Sequence, residues 1–384
     1  MQGLVYLDNA ATTWPKPDAV YTAIDECLRR EAANPGRSSH RMSVAAQKVL
    51  DDARLLTMRL FNAPSPHNVV FTLNCTDSLN IAIKGLARPR SRIAVGPYEH
   101  NSVARPLVRL ERNGVVLLRA RGTDGFLVDL DHLEDLCRDG VDLAVISHVS
   151  NVTGRVQPVK DIADIVHRSG GLLLLDAAQS AGVLSIDMHQ MGIDMLAAPG
   201  HKSLYGPMGV GLLVMADNVS ILPLREGGTG YRSEDDEHPS DLPWALEAGT
   251  PNLPGIAGLV AGIRFIGSVG LERISSHEVE LASRLTKGLS EIPGVHPYCG
   301  TPRPETGLVS FTIGGIDSAV ASVILDQKFG IALRAGLHCA PWAHRALGTL
   351  ECGTLRASIG WYNTLEHIDC LISAVSVIQS QYAF

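Results

Sequence analysis

The stretch Leu172-Leu-Leu-Leu-Asp-Ala-Ala-Gln179, followed by Ala197-Ala-Pro-Gly-His-Lys202, decides how this chain is read. An unbroken apolar run of this kind reads as a strand buried on both faces, the situation of a parallel sheet. Open α/β sheets place their ligands beyond the C-terminal ends of the strands, and Asp176 stands there. Lys202 follows a second short apolar segment, Asp194-Met-Leu-Ala-Ala198, and sits in a glycine-bracketed turn rather than on a solvated helix face. Alone, a strand-end Asp reads as a helix cap and a lone Lys as solvated surface. In this order and setting the two read as one site.

Outward from this stretch, short apolar runs alternate with helix-like segments from about residue 15 to about 250. Val69–Thr72, Arg92–Val95, Gly114–Leu118, Leu143–Ile146, Leu172–Leu175 and Gly209–Val214 read as strands. Between them lie helical patterns such as Asp161-Ile-Ala-Asp-Ile-Val-His167. The alternation implies an α/β fold, a mostly parallel sheet with helices on both faces. The breaker-rich run Gly249-Thr-Pro-Asn-Leu-Pro-Gly255 reads as a boundary. A large domain is expected over residues 15–254. A smaller α+β domain is expected over 255–384, joined by residues 1–14, with strands near Leu308–Thr312 and Gly330–Leu333.

The 384 residues favour two lobes, and 45% hydrophobic with 19% charged residues is an ordinary globular composition. Net charge is −7 with both signs interspersed and no basic stripe, which argues against a nucleic-acid partner. Gly255–Arg264 is interrupted by Arg264 and too short to span a bilayer, so a buried helix is expected there and no membrane partner. The N-terminus lacks a signal-peptide pattern. The seven cysteines form neither a CxxC pair nor a regular framework, which fits a reducing cytoplasm and leaves thiols free for chemistry. No metal site is expected.

A carboxylate to keep a pyridinium nitrogen protonated and a lysine to form an imine are the groups that pyridoxal 5'-phosphate needs from a protein. The wider sequence resembles the class V, fold-type I pyridoxal-phosphate enzymes, and among them the cysteine desulfurases and selenocysteine lyases. The resemblance runs almost end to end. It is carried by Tyr6-Leu-Asp-Asn-Ala-Ala-Thr-Thr13, Glu99-His-Asn101, Ser147-His-Val-Ser-Asn-Val-Thr-Gly154, Asp176 with Gln179, and Gly200-His-Lys-Ser-Leu-Tyr-Gly206. Glu247-Ala-Gly-Thr-Pro-Asn252 and Arg334-Ala-Gly-Leu-His-Cys-Ala340 complete it.

The resemblance implies that Lys202 binds the cofactor covalently and then moves the substrate's α-proton, which requires an amine able to lose its charge near neutral pH. It implies that Asp176 holds the ring nitrogen, that Gln179 and Asn151 donate to the phenolate oxygen, and that His100 stacks on the ring and handles protons. Thr76 and Asp77, at the start of a helix, and His201 are implied for the phosphate. A plain helix cap uses the same geometry as Thr76-Asp77, and both readings stand. The family's common serine before Gly-His-Lys is Pro199 here, which brings no side-chain donor. Thr250 resembles a threonine that reaches the phosphate of a partner chain, so a homodimer is expected.

The context of Cys339 matches the short-loop branch of the desulfurases, the SUF type. A free Cys is commonly a small buried hydrophobe; a nucleophilic thiol instead needs partial exposure and cationic neighbours, for which His338 and Arg334 are candidates. Arg356 resembles the arginine that binds the substrate carboxylate, a task suited to its planar fork. Asn9, and Arg37 with His40 from the loop Asn34–His40, are further expected substrate contacts. The implied activity converts L-cysteine to L-alanine and leaves the sulfur as a persulfide on Cys339, for delivery to a sulfur-acceptor protein. A selenocysteine lyase acting on L-selenocysteine shares every motif quoted, and another class V aminotransferase or lyase remains open.

Overall fold

The computed structural model describes residues 3–36, 39–299 and 303–382. In chain order the first strands are β1 (Val5–Tyr6), β2 (Val69–Thr72), β3 (Arg92–Val95), β4 (Val116–Arg119), β5 (Leu143–Ser147), β6 (Leu172–Asp176), β7 (Met195–Pro199) and β8 (Gly211–Met215). There follow β9 (Val295–Pro297), β10 (Leu308–Ile313), β11 (Ile331–Ala332), β12 (Arg334–Gly336) and β13 (Thr354–Ser358). Strands β2 to β8 form one sheet in the order β2-β8-β7-β6-β5-β3-β4. Only β8 runs against its neighbours, so the sheet is mixed and mostly parallel, as the alternating pattern implies.

The strand period of two explains where the chemistry lies. Leu173 and Leu175 of β6 join Ala144, Ile146, Leu196 and Ala198 in one apolar layer. Leu174 joins Val145, Met195 and Ala197 in the layer on the opposite face. Continuing that alternation puts Asp176 on the face of Leu174, against the helix Cys75–Leu86. That helix starts where Asn74 accepts from Asp77 N at 3.0 Å, so the residues after β2 turn back over the strand ends. Each fully buried leucine in these layers is worth about 1.5–3 kcal/mol of transfer free energy.

A second lobe is built on the antiparallel sheet β12-β13-β10-β9. Val5 and Leu7 share its core with residues from Leu281 to Ile378, and β1 pairs with β11 in parallel. The breaker-rich run at 249–255 does not divide the cores at residue 255. The helix Leu253–Val269 belongs to the large lobe, packing Ile256, Leu259, Val260 and Ile263 into its apolar layer. The second core starts within the next helix, Leu271–Ser290, past Gly270 with φ of 93°. The reason lies in the sequence of the helix: it is apolar all round, so it needs cover on several sides. Among the described residues no single helix is long and apolar enough to cross a membrane.

Candidate active site

A cavity of about 170 Å³ opens at the C-terminal ends of β2, β3, β5, β6 and β7. Asp176, Lys202, His100, Asn151, Gln179 and Thr76 all line it, and so does His201. Asp176 is 3% exposed. Its Oδ1 accepts from Ala178 N at 3.0 Å and from Cys75 Sγ at 3.6 Å, while Oδ2 accepts from no described residue. Burial pushes the carboxyl up, and the Ala178 amide, Lys202 and Cys75 oppose that push. The amine of Lys202 makes no hydrogen bond to a described residue. Burial lowers its pKa, partly offset by Cys75 and Asp176.

Main-chain hydrogen bonds pin the turn that presents Lys202. Gly200 N donates to Val210 O at 2.8 Å, Gly206 N to Gly200 O at 2.8 Å, and Tyr205 N to Lys202 O at 2.9 Å. Behind it, a Cβ on Gly262 would lie 2.2 Å from Leu204 O, so the helix Leu253–Val269 can press on this turn only through a glycine. In front, Lys16 Nζ donates to His201 O at 2.9 Å and to Thr13 O at 2.8 Å.

His100 caps the helix Asn101–Arg112: its Nδ1 accepts from Ser102 N at 3.1 Å, which places the neutral ring's proton on Nε2. Burial, and then Lys202, Arg334 and Arg356, push it down to about 4, so it is neutral at physiological pH. Glu99, 1% exposed, braces this corner by accepting from Ser147 N at 3.1 Å and Ser147 Oγ at 2.7 Å. Gln179 Nε2 donates to Ala10 O at 3.2 Å. Asn151 is buried and its Nδ2 donates to His338 O at 2.7 Å, so its amide is directed at the Cys339 loop.

The end of the cavity expected to take the phosphate holds Thr76 and His201, with Pro199 contributing no donor. Nδ1 of His201 is buried without a partner among the described residues, and burial pushes the ring down to about 4. Asp77 does not line the cavity: it accepts from Leu73 N at 3.1 Å and pairs with Arg225 at 3.2 Å. A carboxylate would repel a phosphate dianion, and here it serves the helix start instead.

Arg356 is 1% exposed on β13. It donates to Asn151 O and to Asp8 Oδ1, each at 3.1 Å, and its Nε is buried without a partner among the described residues. Burial first, then Arg334 against the help of Asp8, brings it down to about 10. The β12–β13 pairing sets Arg334 directly opposite Arg356, an unfavourable like-charge pair unless anions answer it. Asp8 answers one arginine; the other, Arg334, points Nη2 at Cys339 Sγ, 3.1 Å away. Cys339 is exposed, as are Cys352 and Cys370, whereas Cys27, Cys75, Cys137 and Cys299 are buried; of the exposed three, only Cys339 has an arginine on its sulfur. Asn9 departs from its expected substrate role: Nδ2 donates to Ser358 O and Asn363 Oδ1, and Oδ1 accepts from Trp14 N. Its amide is used up joining the N-terminal segment to β13.

Thr250 and His40 lie elsewhere. Thr250 is exposed on a separate cavity of about 760 Å³ that shares no lining residue with the first. Asn34, Pro35 and Gly36 line that same cavity, where Arg54 and Glu247 neutralise each other at 2.6 Å. His40 is exposed, caps the helix Arg41–Phe61 by accepting from Ser43 N at 3.2 Å, and does not line the Lys202 cavity of its own chain. Arg37 lies outside the described residues. Reading the sequence missed Cys75, Asp8 and Lys16. Cys75 had a signal in standing beside Thr76, but its bond to Asp176 joins residues far apart in the chain.

These residues fit pyridoxal phosphate. Asp176 offers an unused carboxylate oxygen, Lys202 an unpaired amine of lowered basicity, and His201 an orphaned ring nitrogen. The family model for aminotransferase class V matches residues 5–371. A probable cysteine desulfurase of Methanothermobacter thermautotrophicus is 38% identical over 373 residues, covering 96% of this chain and 92% of that protein. The apo structure of a cysteine desulfurase from Thermococcus onnurineus is similar with a TM-score of 0.92 at 34% identity, covering 98% of this chain and 95% of that one. The cysteine desulfurase CsdA of Escherichia coli, in S-sulfonic acid form, gives 0.88 at 29% identity over the same shares.

Proposed function

The chain belongs to the class-V aminotransferase family, and from that premise we propose that it is a pyridoxal-phosphate-dependent cysteine desulfurase. The reading has L-cysteine converted to L-alanine and its sulfur taken by Cys339 as a persulfide. The observation that carries it is the exposed Cys339 thiol, 3.1 Å from the Arg334 guanidinium. The backbone of that thiol is bonded to the start of the helix that His100 caps, beside the Lys202 cavity.

When bound, pyridoxal phosphate supplies an electron sink next to the substrate's α-carbon. Asp176 would hold a protonated ring nitrogen through Oδ2, the oxygen that its internal donors leave unused. Lys202 takes the α-proton on Nζ, for which its lowered basicity suits it. Arg356 holds the substrate carboxylate, with its unpartnered Nε available as a donor. Arg334 points Nη2 at Cys339 Sγ, 3.1 Å away, and offers a cationic partner to a thiolate nucleophile there. That thiolate forms an S–S bond to the substrate sulfur as the Cβ–S bond breaks; the electron pair returns to carbon, which takes a proton. His100 holds a proton on Nε2 for this traffic.

Thr250 and the loop before His40 share a cavity away from their own Lys202, which supports a homodimer in which each chain serves the other's phosphate site. An exposed Cys339 suits hand-over to a sulfur-acceptor protein. The test incubates the holoenzyme with L-cysteine and, separately, L-selenocysteine, measuring alanine, sulfide or selenide, and bound persulfide. Wild type should give alanine and a persulfide on Cys339. Cys339→Ser should bind cofactor and L-cysteine normally yet release almost no sulfide, a hydroxyl being a far poorer nucleophile. Substantial sulfide from Cys339→Ser would favour a selenocysteine lyase, and pyruvate without persulfide a general class V lyase.

A further inference from the structure

We propose that two asparagines of the large lobe are positioning residues for the Cys339 thiol, Asn101 through its main-chain amide and Asn151 through its side chain. The proposal rests on the desulfurase reading and adds to it how the nucleophile is aimed.

His338 and Cys339 are consecutive non-glycine residues in the left-handed region, with φ of 48° and 58°. L-residues adopt it at a cost, and such a pair persists only where surrounding contacts over-determine it. Within the small lobe the loop has Ala340 N to Leu337 O at 2.8 Å and the His338 ring to Thr354 Oγ1 at 2.9 Å. The two backbone carbonyls of the strained pair are held from the other lobe. Asn151 Nδ2 donates to His338 O at 2.7 Å, and Asn101 N donates to Cys339 O at 2.7 Å.

Asn101 opens the helix Asn101–Arg112, so its N–H has no partner within the helix and is free to reach the loop. The preceding residue is His100, whose ring is fixed by the amide of Ser102. One helix start therefore orients both the proton-carrying ring and the thiol. The thiol's direction toward Arg334 follows from the docking of the lobes, not from the small lobe alone.

The test is Asn101→Pro in the holoenzyme. Proline is favoured at the first helical position, and His100, with φ −71° and ψ 158°, already has the backbone that precedes proline. The variant thus leaves the helix but replaces the N–H by a Cδ that collides with Cys339 O, so the loop is released from this contact. Sulfide release from L-cysteine should fall about 10- to 100-fold in kcat, with KM and cofactor absorbance unchanged. Selenide release from L-selenocysteine, whose weaker C–Se bond depends less on attack by the thiol, should stay within about twofold of wild type, far less than a 1 Å misplacement of a reacting group costs. Asn101→Ala, which keeps the amide, should match wild type. Should Asn101→Pro not fold, an α-hydroxy acid at position 101 replaces the same N–H by oxygen and should give the same split. Wild-type sulfide release from the amide-deleted protein overturns the proposal, and so does an equal loss on both substrates. If Cys339→Ser itself still desulfurates cysteine, it is the desulfurase reading that falls, whatever Asn101 does.

Discussion

Asp176 divides its two oxygens between different tasks. Oδ1 accepts from Ala178 N and Cys75 Sγ, while Oδ2 is left to the cavity. Asp176→Asn can therefore keep its carbonyl oxygen on the two internal donors and lose only the charge at the cavity. An NH₂ there cannot sustain a protonated ring nitrogen, so kcat should fall on the order of 100-fold, as when a preorganised electrostatic partner is removed. Denaturant stability of the apoprotein should be little changed. Near-normal turnover with cofactor fully bound would refute the assignment. Asp176 and Lys202 were legible because one ends an apolar run and the other follows within a few residues of the next. Cys75 was not, since its place beside Thr76 marks only nearness to the site and does not announce a bond to a carboxylate 101 residues away.

At the scale of elements, the helix Leu253–Val269 does more than fill the core. Gly262 lets it approach the turn after Lys202, where a Cβ would stand 2.2 Å from Leu204 O. Gly262→Ala must push helix and turn apart, costing about 1–3 kcal/mol as overpacking does. It should lower the denaturation midpoint and weaken cofactor binding together, measured by chemical unfolding and by titration of the apoprotein with pyridoxal phosphate. Loss of stability with unchanged binding would show that the helix does not set the Lys202 turn. The sequence announces this helix as apolar and buried. Its allegiance to the large lobe is a matter of which neighbours reach its several apolar sides, and no periodicity encodes that.

For the whole molecule, the decisive question is which chain Thr250 serves. It is exposed on a cavity separate from its own Lys202. In a two-fold dimer such a patch meets its partner reciprocally. Sedimentation should give a dimer, and Thr250→Asp should weaken cofactor binding by placing a negative charge near the phosphate. Mixed dimers of one Lys202→Ala chain and one Thr250→Asp chain then discriminate. If Thr250 acts across the interface, the Lys202-bearing site of the mixed dimer is complete and binds cofactor like wild type. If it acts within its own chain, no site is complete and affinity stays low in both.

The sequence by itself determined the sheet, the strand ends that carry Asp176 and Lys202, and the family to which the chain belongs. These follow from periodicity and from short motifs, which act over a few residues and survive in the linear text. Tertiary structure alone decided the rest. The pairing of β12 with β13 brings Arg334 opposite Arg356, and the docking of the lobes puts Asn101 and Asn151 on the carbonyls of the Cys339 loop. It also turned Asn9, Asp77 and His40 from expected ligands into structural clips. The physical reason is the same in each case: a polar side chain or amide can satisfy its hydrogen bonds in many ways, and only the final packing of distant segments selects one of them.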